Sequence, residues 1–265
     1  MNIKIVLDFL AFVVIYSFLG WLLETTAKSL TQKQFVNSGF LYGPICPIYG
    51  FAAVIMIICL SFLKDKPLLL FVVSFVVLSV WEYVVGVFLE KAFKTKYWDY
   101  SRYKYNIHGR VCLQNSIIWG LLGVFFIRYI HPFIAEKIEM IPQNIMLYMV
   151  IGVYIVIMID AITTIIKTVK FDDAIKKVNE LGEKIKLNIE MIKKNGLSAS
   201  AKEKAEKLIR ELKIKETRLK IRLYRNAKRL KLAFPTMKSE TITNFLNQKI
   251  DFETLKKLMK NKNKE

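Results

Sequence analysis

The chain has 265 residues, 54% of them hydrophobic, and a formal net charge of +19 from 41 basic and 22 acidic side chains. Five long apolar stretches in the first two thirds leave no amphipathic cover for a water-soluble fold, which excludes a soluble globular domain. Cys46, Cys59 and Cys112 cannot all pair with one another and lack the spacing of a four-ligand zinc site, so they read as small buried hydrophobes.

The apolar stretches cover residues 5–26, 45–63, 67–90, 111–130 and 145–166. Each is close to the roughly 20 residues that a helix needs to cross a 30 Å hydrocarbon core. The pattern predicts an all-α, polytopic helical membrane protein of five spans, with a transmembrane domain over 1–166 and a basic helical tail over 167–265. Asp8 lies inside the first stretch and no small-residue cleavage site follows it, so that stretch reads as a retained span and not as a signal peptide.

Between the first two spans, the run Gly39–Gly50 contains two prolines and three glycines. Tyr42, Gly43, Pro44, Cys46, Pro47, Tyr49 and Gly50 mark it as a broken-helix motif. Irregular backbone at membrane depth is tolerated only where protein or a water-filled cavity satisfies it. An ordinary loop with Pro44 near a helix N-terminus is the competing reading.

In the third span, Glu82, Gly86 and Glu90 follow i, i+4, i+8, which stacks two carboxylates on one flank with a glycine between them. The first span repeats the theme with Tyr16, Gly20 and Glu24. A carboxylate at membrane depth costs at least about 2.5 to 3.5 kcal/mol on insertion scales and hints at function. Asp99, His108, Arg110, Gln114 and Asn115 follow closely, and Asp160 lies in the fifth span. The candidate polar cluster is therefore Glu24, Glu82, Glu90, Asp99, Arg110, Gln114 and Asn115, with no metal site and no assigned catalytic residue.

The stretch Lys96–Arg110 is dense in aromatic and basic side chains. It reads either as an interfacial anchor meeting anionic lipid, or as a site where Arg110 and His108 hold a phosphate or carboxylate while Asp99 or Glu90 acts as a base or cation ligand.

An offset of 66 residues aligns Gly20 with Gly86, Leu23 with Leu89, Glu24 with Glu90, Gly43 with Gly109 and Cys46 with Cys112. Gapless spacing suggests a tandem repeat, 10–62 and 76–128, whose copies share one orientation.

Residues 167–265 hold 28 basic and 13 acidic side chains, against 13 and 9 in the first 166. The positive-inside bias keeps such a tail in the cytoplasm, and an odd number of spans then puts the N-terminus on the outer side of the membrane. Loop charges agree in the main, although Lys64 and Lys66 fall on the outer side.

Within the tail, Phe171, Ile175, Val178, Gly182, Ile185, Ile189 and Ile192 form one stripe, and Ala201, Ala205, Leu208, Leu212, Leu219, Leu223 and Leu230 a second, after a break at Asn195-Gly196. Two long helices so patterned predict an antiparallel coiled-coil hairpin. Further on, Asp251 is expected to cap a short helix. The basic side chains suit anionic lipid first and a protein partner next, with nucleic acid a distant third.

No G-x-x-x-x-G-K-[ST] loop, H-E-x-x-H, G-x-S-x-G or paired C-x-x-C occurs in the chain. It therefore does not hydrolyse ATP by a Walker mechanism on its own, and no cofactor is expected.

The motifs Phe40–Gly50, Trp81-Glu-Tyr, Leu89-Glu90, Tyr97-Trp-Asp-Tyr-Ser101 and Asn106-Ile-His-Gly-Arg-Val-Cys-Leu113 resemble a bacterial family called Putative ABC-transporter type IV, or CmpB-like membrane proteins. The resemblance covers residues 5–165 and leaves the basic tail outside. It implies a permease-like subunit of the ABC-transporter type, with a cytoplasm-facing polar site and a separate ATPase that engages the cytoplasmic loop or the tail. His108 departs from the family pattern, where a small polar residue is expected, which argues against an essential histidine. Two other classes remain in view from the residues: a membrane enzyme or binding protein acting on a lipid headgroup or amphiphile at the inner leaflet, and a scaffold recruiting partners through its tail. Five spans are few for a translocation path, so a homodimer is expected.

Overall fold

A computed structural model describes residues 3–193 and 198–247, whose regular elements are helices and one small hairpin. The helices are α1 (Ile3–Gln32), α2 (Pro47–Leu60, continued by a 3-10 turn Ser61–Leu63), α3 (Pro67–Phe93), α4 (Leu113–Phe125), α5 (His131–Glu139), α6 (Gln143–Val169), α7 (Phe171–Lys193), α8 (Ala199–Ala233) and α9 (Glu240–Asn247). The hairpin pairs β1 (Asn106–Ile107) with β2 (Val111–Cys112), antiparallel. A π-helical turn, Phe126–Ile130, joins α4 to α5.

Among the described residues, four helices are long and apolar enough to cross a membrane: α1, α3, the continuous run Leu113–Glu139, and α6. The last three have 27 residues each, about 40 Å at 1.5 Å per residue. The second apolar stretch forms the shorter helix Pro47–Leu63. Cys46 is still extended, Pro47 takes the first helical turn where its missing N–H costs nothing, and the chain tightens at Ser61. Similarly, α4 begins at Leu113 and not at 111, because Val111 and Cys112 pair in the hairpin. Among described residues, α6 buries only Met146, Val150 and Thr164 and leaves Ile155, Val156 and Ile159 exposed, as a helix facing hydrocarbon would.

The structure separates into two compact units. Unit 1 gathers the chain up to Ile165 together with Leu230–Ser239. Its core centres on Leu7, Phe12, Tyr16, Met56, Leu60, Leu70, Leu78 and Ile127. Small residues set how closely its helices approach. A side chain at Gly50 would strike Ser17 Oγ and the Val13 carbonyl of α1, and one at Gly123 would strike Ser74 of α3. Such contacts let dispersion and hydrogen bonds act where lipid supplies no hydrophobic drive between helices. Ser79 Oγ–H donates to Ser116 Oγ at 2.6 Å and ties α3 to α4.

Unit 2 gathers the described residues of Ile166–Arg229 together with α9. Gly182 of α7 lies against Glu216 of α8, which sets the two helices side by side. Phe171, Val178 and Ile185 of the first stripe are buried. On α8, Ile209 is buried while Leu208 is 45% exposed. The stripe steps by four from Ala205 to Ile209, so Leu208 points out, contrary to the expected register. Phe245 of α9 meets Phe171 edge to face at 5.8 Å. The expected break at Asn195-Gly196 and the expected cap Asp251 lie outside the described residues. Residues 230–239, counted with the tail from sequence, pack within unit 1.

Candidate functional site

α1 and α3 finish, and α2 and α4 begin, at the same end of unit 1. A cavity of about 680 Å³ opens among them, within the roughly 300 to 1,000 Å³ of small-molecule pockets. Its wall is chiefly apolar and aromatic: Tyr16 and Gly20 from α1, Tyr49 and Met56 from α2, Trp81 from α3, Trp119 and Leu122 from α4. Phe126 and Ile130 of the π-helical turn complete one side, and Tyr97, Tyr100, Phe234, Pro235 and Thr236 close the loop end.

Glu82 is the polar centre of this wall. It is 6% exposed. Tyr100 Oη–H donates to one of its oxygens at 3.1 Å, and Trp119 Nε1–H to the other at 3.0 Å. Asn115 hydrogen-bonds Tyr100 in turn, which makes a relay of neutral groups ending on a carboxylate. Burial pushes the Tyr100 phenol far up, and the Glu82 charge pushes it the same way, so Tyr100 stays a donor.

Glu24 also lines the cavity, one helix away. It pairs with Lys28 at 2.5 Å, and the Cys46 thiol lies 3.7 Å from its other oxygen. Lys28 donates as well to the Ala233 carbonyl and sits 5.2 Å from the centre of the Phe234 ring.

Glu90 and Arg110 form a separate pair at 2.8 Å, with a second contact at 3.1 Å and the guanidinium over Tyr83. They are not part of the cavity wall. Glu24 and Glu90, equivalent under the 66-residue offset, thus have different surroundings: one faces the cavity, the other ties α3 to the hairpin. Cys46 and Cys112, also aligned, both sit in extended backbone immediately before a helix, each 2% exposed.

Asp99 anchors the loop end. Lys96 reaches one oxygen at 2.6 Å together with Ser101 Oγ–H at 2.6 Å, and Lys238 reaches the other at 2.5 Å. Burial alone would raise its carboxyl, but the bonds from Lys238, Lys96 and Ser101 outweigh burial and hold it well below the usual carboxylate range. Lys96 and Lys238 exchange backbone hydrogen bonds, and Thr236 Oγ1 accepts from the Asp99 amide. Phe234 stacks edge to face on Tyr97 at 5.0 Å. Leu230–Ser239 is therefore strapped across the loop end by its own polar contacts.

Gln114 is exposed and not on the wall. His108 and Gly109 both have positive φ, with Arg110 N–H donating to the Ile107 carbonyl at 3.0 Å. This matches a type I′ turn, which favours Asn-Gly. His108 holds a left-handed turn position, and a small polar residue would serve there. A side chain at Gly109 would strike Asp99 as well as adopt a strained φ of 67°.

The broken-helix motif divides into two parts. Tyr42 and Gly43 donate their amides to Asp160 of α6 at 3.1 and 2.7 Å, and Asn37 donates to the Tyr42 carbonyl. Pro44 is exposed. Cys46, Pro47 and Tyr49 reach the cavity, and Gly50 packs on α1. The Tyr42 and Gly43 amides and the Tyr42 carbonyl are thus satisfied by protein, with Pro47 and not Pro44 opening the helix.

Sequence reasoning missed Tyr100 and Trp119 as the partners of Glu82. It also missed the strap, and Tyr16 meeting His131 at 2.9 Å. A lone Trp in an apolar stretch signals nothing by itself; only packing brings it to a carboxylate 37 residues away. Among the described residues, no group of His, Cys, Asp and Glu could hold a metal ion.

A family model described as Putative ABC-transporter type IV matches residues 11–165. The chain belongs to that family. The Putative ABC-transporter type IV region supplies every wall of the cavity except Phe234, Pro235 and Thr236, which the strap brings in from beyond it. Comparison with curated proteins and with solved structures returns no match.

Proposed function

We propose that this protein is a permease-like membrane subunit with a cytoplasm-facing site that takes an amphiphile from the bilayer. The observation that carries this reading is the 680 Å³ cavity, apolar and aromatic through most of its wall and polar at Glu24, Lys28, Glu82 and Tyr100. An apolar body with a few placed polar groups is the usual form of a small-molecule site. Membership of a family described as Putative ABC-transporter type IV supports this reading, and ATP hydrolysis would then fall to a separate subunit, since no nucleotide-binding loop occurs in this sequence.

Native mass spectrometry of the protein extracted in mild detergent tests this. Wild type should carry a bound amphiphile. Ala52→Trp, which places an indole in the wall, should reduce its occupancy at least about tenfold, the loss expected of roughly 1.4 kcal/mol of steric conflict. Equal occupancy in both proteins would overturn the assignment of the cavity.

A further inference from the structure

Glu82 differs from Glu24, the other carboxylate on the cavity wall, and from Glu90 and Asp99 at the loop end. Glu24 has Lys28, Glu90 has Arg110, and Asp99 has Lys96 and Lys238. Glu82 accepts only from the uncharged Tyr100 and Trp119, and among the described residues no cation pairs with it. With Glu24 and Lys28 cancelling, the ionised wall carries one net negative charge, placed on a side chain 6% exposed. A buried charge is kept at a cost unless something pairs with it.

We infer that the ligand of this cavity is an amphiphile with a cationic head, an alkylammonium in chemical class, whose charge lies against Glu82 while its tail fills the apolar wall. The inference rests on the amphiphile-site reading above and narrows it to one sign of charge. An anionic head would add a second negative charge beside Glu82, a neutral head would be served by the protonated carboxyl, and only a cationic head gains from the charged form. The surrounding rings favour the same choice. Tyr49 and Trp119 stand with their centroids 5.9 Å apart, and Trp81 is held by its indole N–H on the Ile48 carbonyl at 3.0 Å. Aromatic faces attract alkylammonium heads through the ring quadrupole, more strongly once water is excluded. The overall charge works against this preference, because a chain at +19 attracts anions and repels cations at long range. Cation selectivity would thus have to arise in the site.

The experiment is a tryptophan-fluorescence titration of the full chain in zwitterionic nanodiscs, with empty nanodiscs as the partition control. Three probes share a dodecyl tail: dodecyltrimethylammonium, an uncharged dodecyl oligoethylene glycol ether, and dodecyl phosphate. Wild type should bind the cation at least about tenfold more tightly than the ether, and the phosphate weakest. Glu82→Gln should lose the cation's advantage over the ether. Equal affinity for cation and ether in wild type, or a cation preference that survives Glu82→Gln, overturns the inference and leaves the amphiphile site standing. If no probe binds saturably, the amphiphile reading falls and this inference with it. Should Glu82→Gln fail to fold, the ranking of the three probes on wild type decides alone.

Discussion

At the scale of single residues, the cluster expected from sequence separates into groups with different work. Glu82 sits in the cavity among neutral donors, Glu24 shares the wall with its own counter-ion, and Glu90 with Arg110 ties helix to hairpin. Asp99 is a structural anchor that joins the loop before the hairpin to the strap. Its carboxyl lies below the ordinary value when folded, so it contributes stability that is present above about pH 4, the unfolded range, and is lost as pH falls towards the folded value. Thermal unfolding in detergent should show wild type losing more stability than Asp99→Asn between pH 6 and pH 3. At pH 7 the variant should already be weaker by about 2 kcal/mol, the worth of hydrogen bonds to a charged group. Parallel pH profiles for the two proteins would show that Asp99 is not held in this way.

Among the elements, the segment Leu230–Ser239 has the clearest consequence. It ends α8, passes Phe234 over Tyr97 and pairs Lys238 with Lys96. Gln32 and Lys28 of α1 donate to the Leu232 and Ala233 carbonyls, helix-end acceptors that no longer have an intrahelical N–H to meet them. A chain ending after Ser239 should keep the melting temperature of unit 1, followed by near-UV circular dichroism. One ending after Arg229 should melt at least several degrees lower, in proportion to the lost bonds and ring contacts. Equal melting of the two truncations would mean that the strap adds nothing to the fold. The hairpin is a second such element: its turn asks for left-handed backbone at two successive residues, and His108 and Gly109 supply it.

For the molecule as a whole, four helices among the described residues are long and apolar enough to cross a bilayer, with one shorter apolar helix beside them. We propose that the loop end, with Lys96, Arg102 and Lys104, faces the cytoplasm, in keeping with the positive-inside bias, and that Lys64 and Lys66 face outward. Single cysteines introduced as Lys64→Cys and Lys104→Cys in a cysteine-free background test it with a membrane-impermeant thiol reagent. Intact cells should label the first, and only permeabilised cells the second. The reverse pattern would invert the topology and move the cavity mouth to the other leaflet.

The reach of the sequence follows the range of the forces involved. Apolar stretches near 20 residues identified the helical membrane class, because a bilayer demands local backbone satisfaction and tolerates few charges within one helix. Family membership was legible from Phe40–Gly50, Tyr97–Ser101 and Asn106–Leu113 for a similar reason: turns and loop ends impose local residue choices, as the Gly109 backbone does. Boundaries were less legible, since Pro47 and the β1–β2 pairing shortened α2 and α4 at their starts. The partners of Glu82, the separation of Glu24 from Glu90, and the seating of Phe234 beside Tyr97 were not legible at all. Each joins residues far apart in the chain, across helices whose apolar surfaces look alike in sequence. Which neutral donor or ring meets a given carboxylate is settled only when small residues such as Gly50 and Gly123 let particular helix pairs close together.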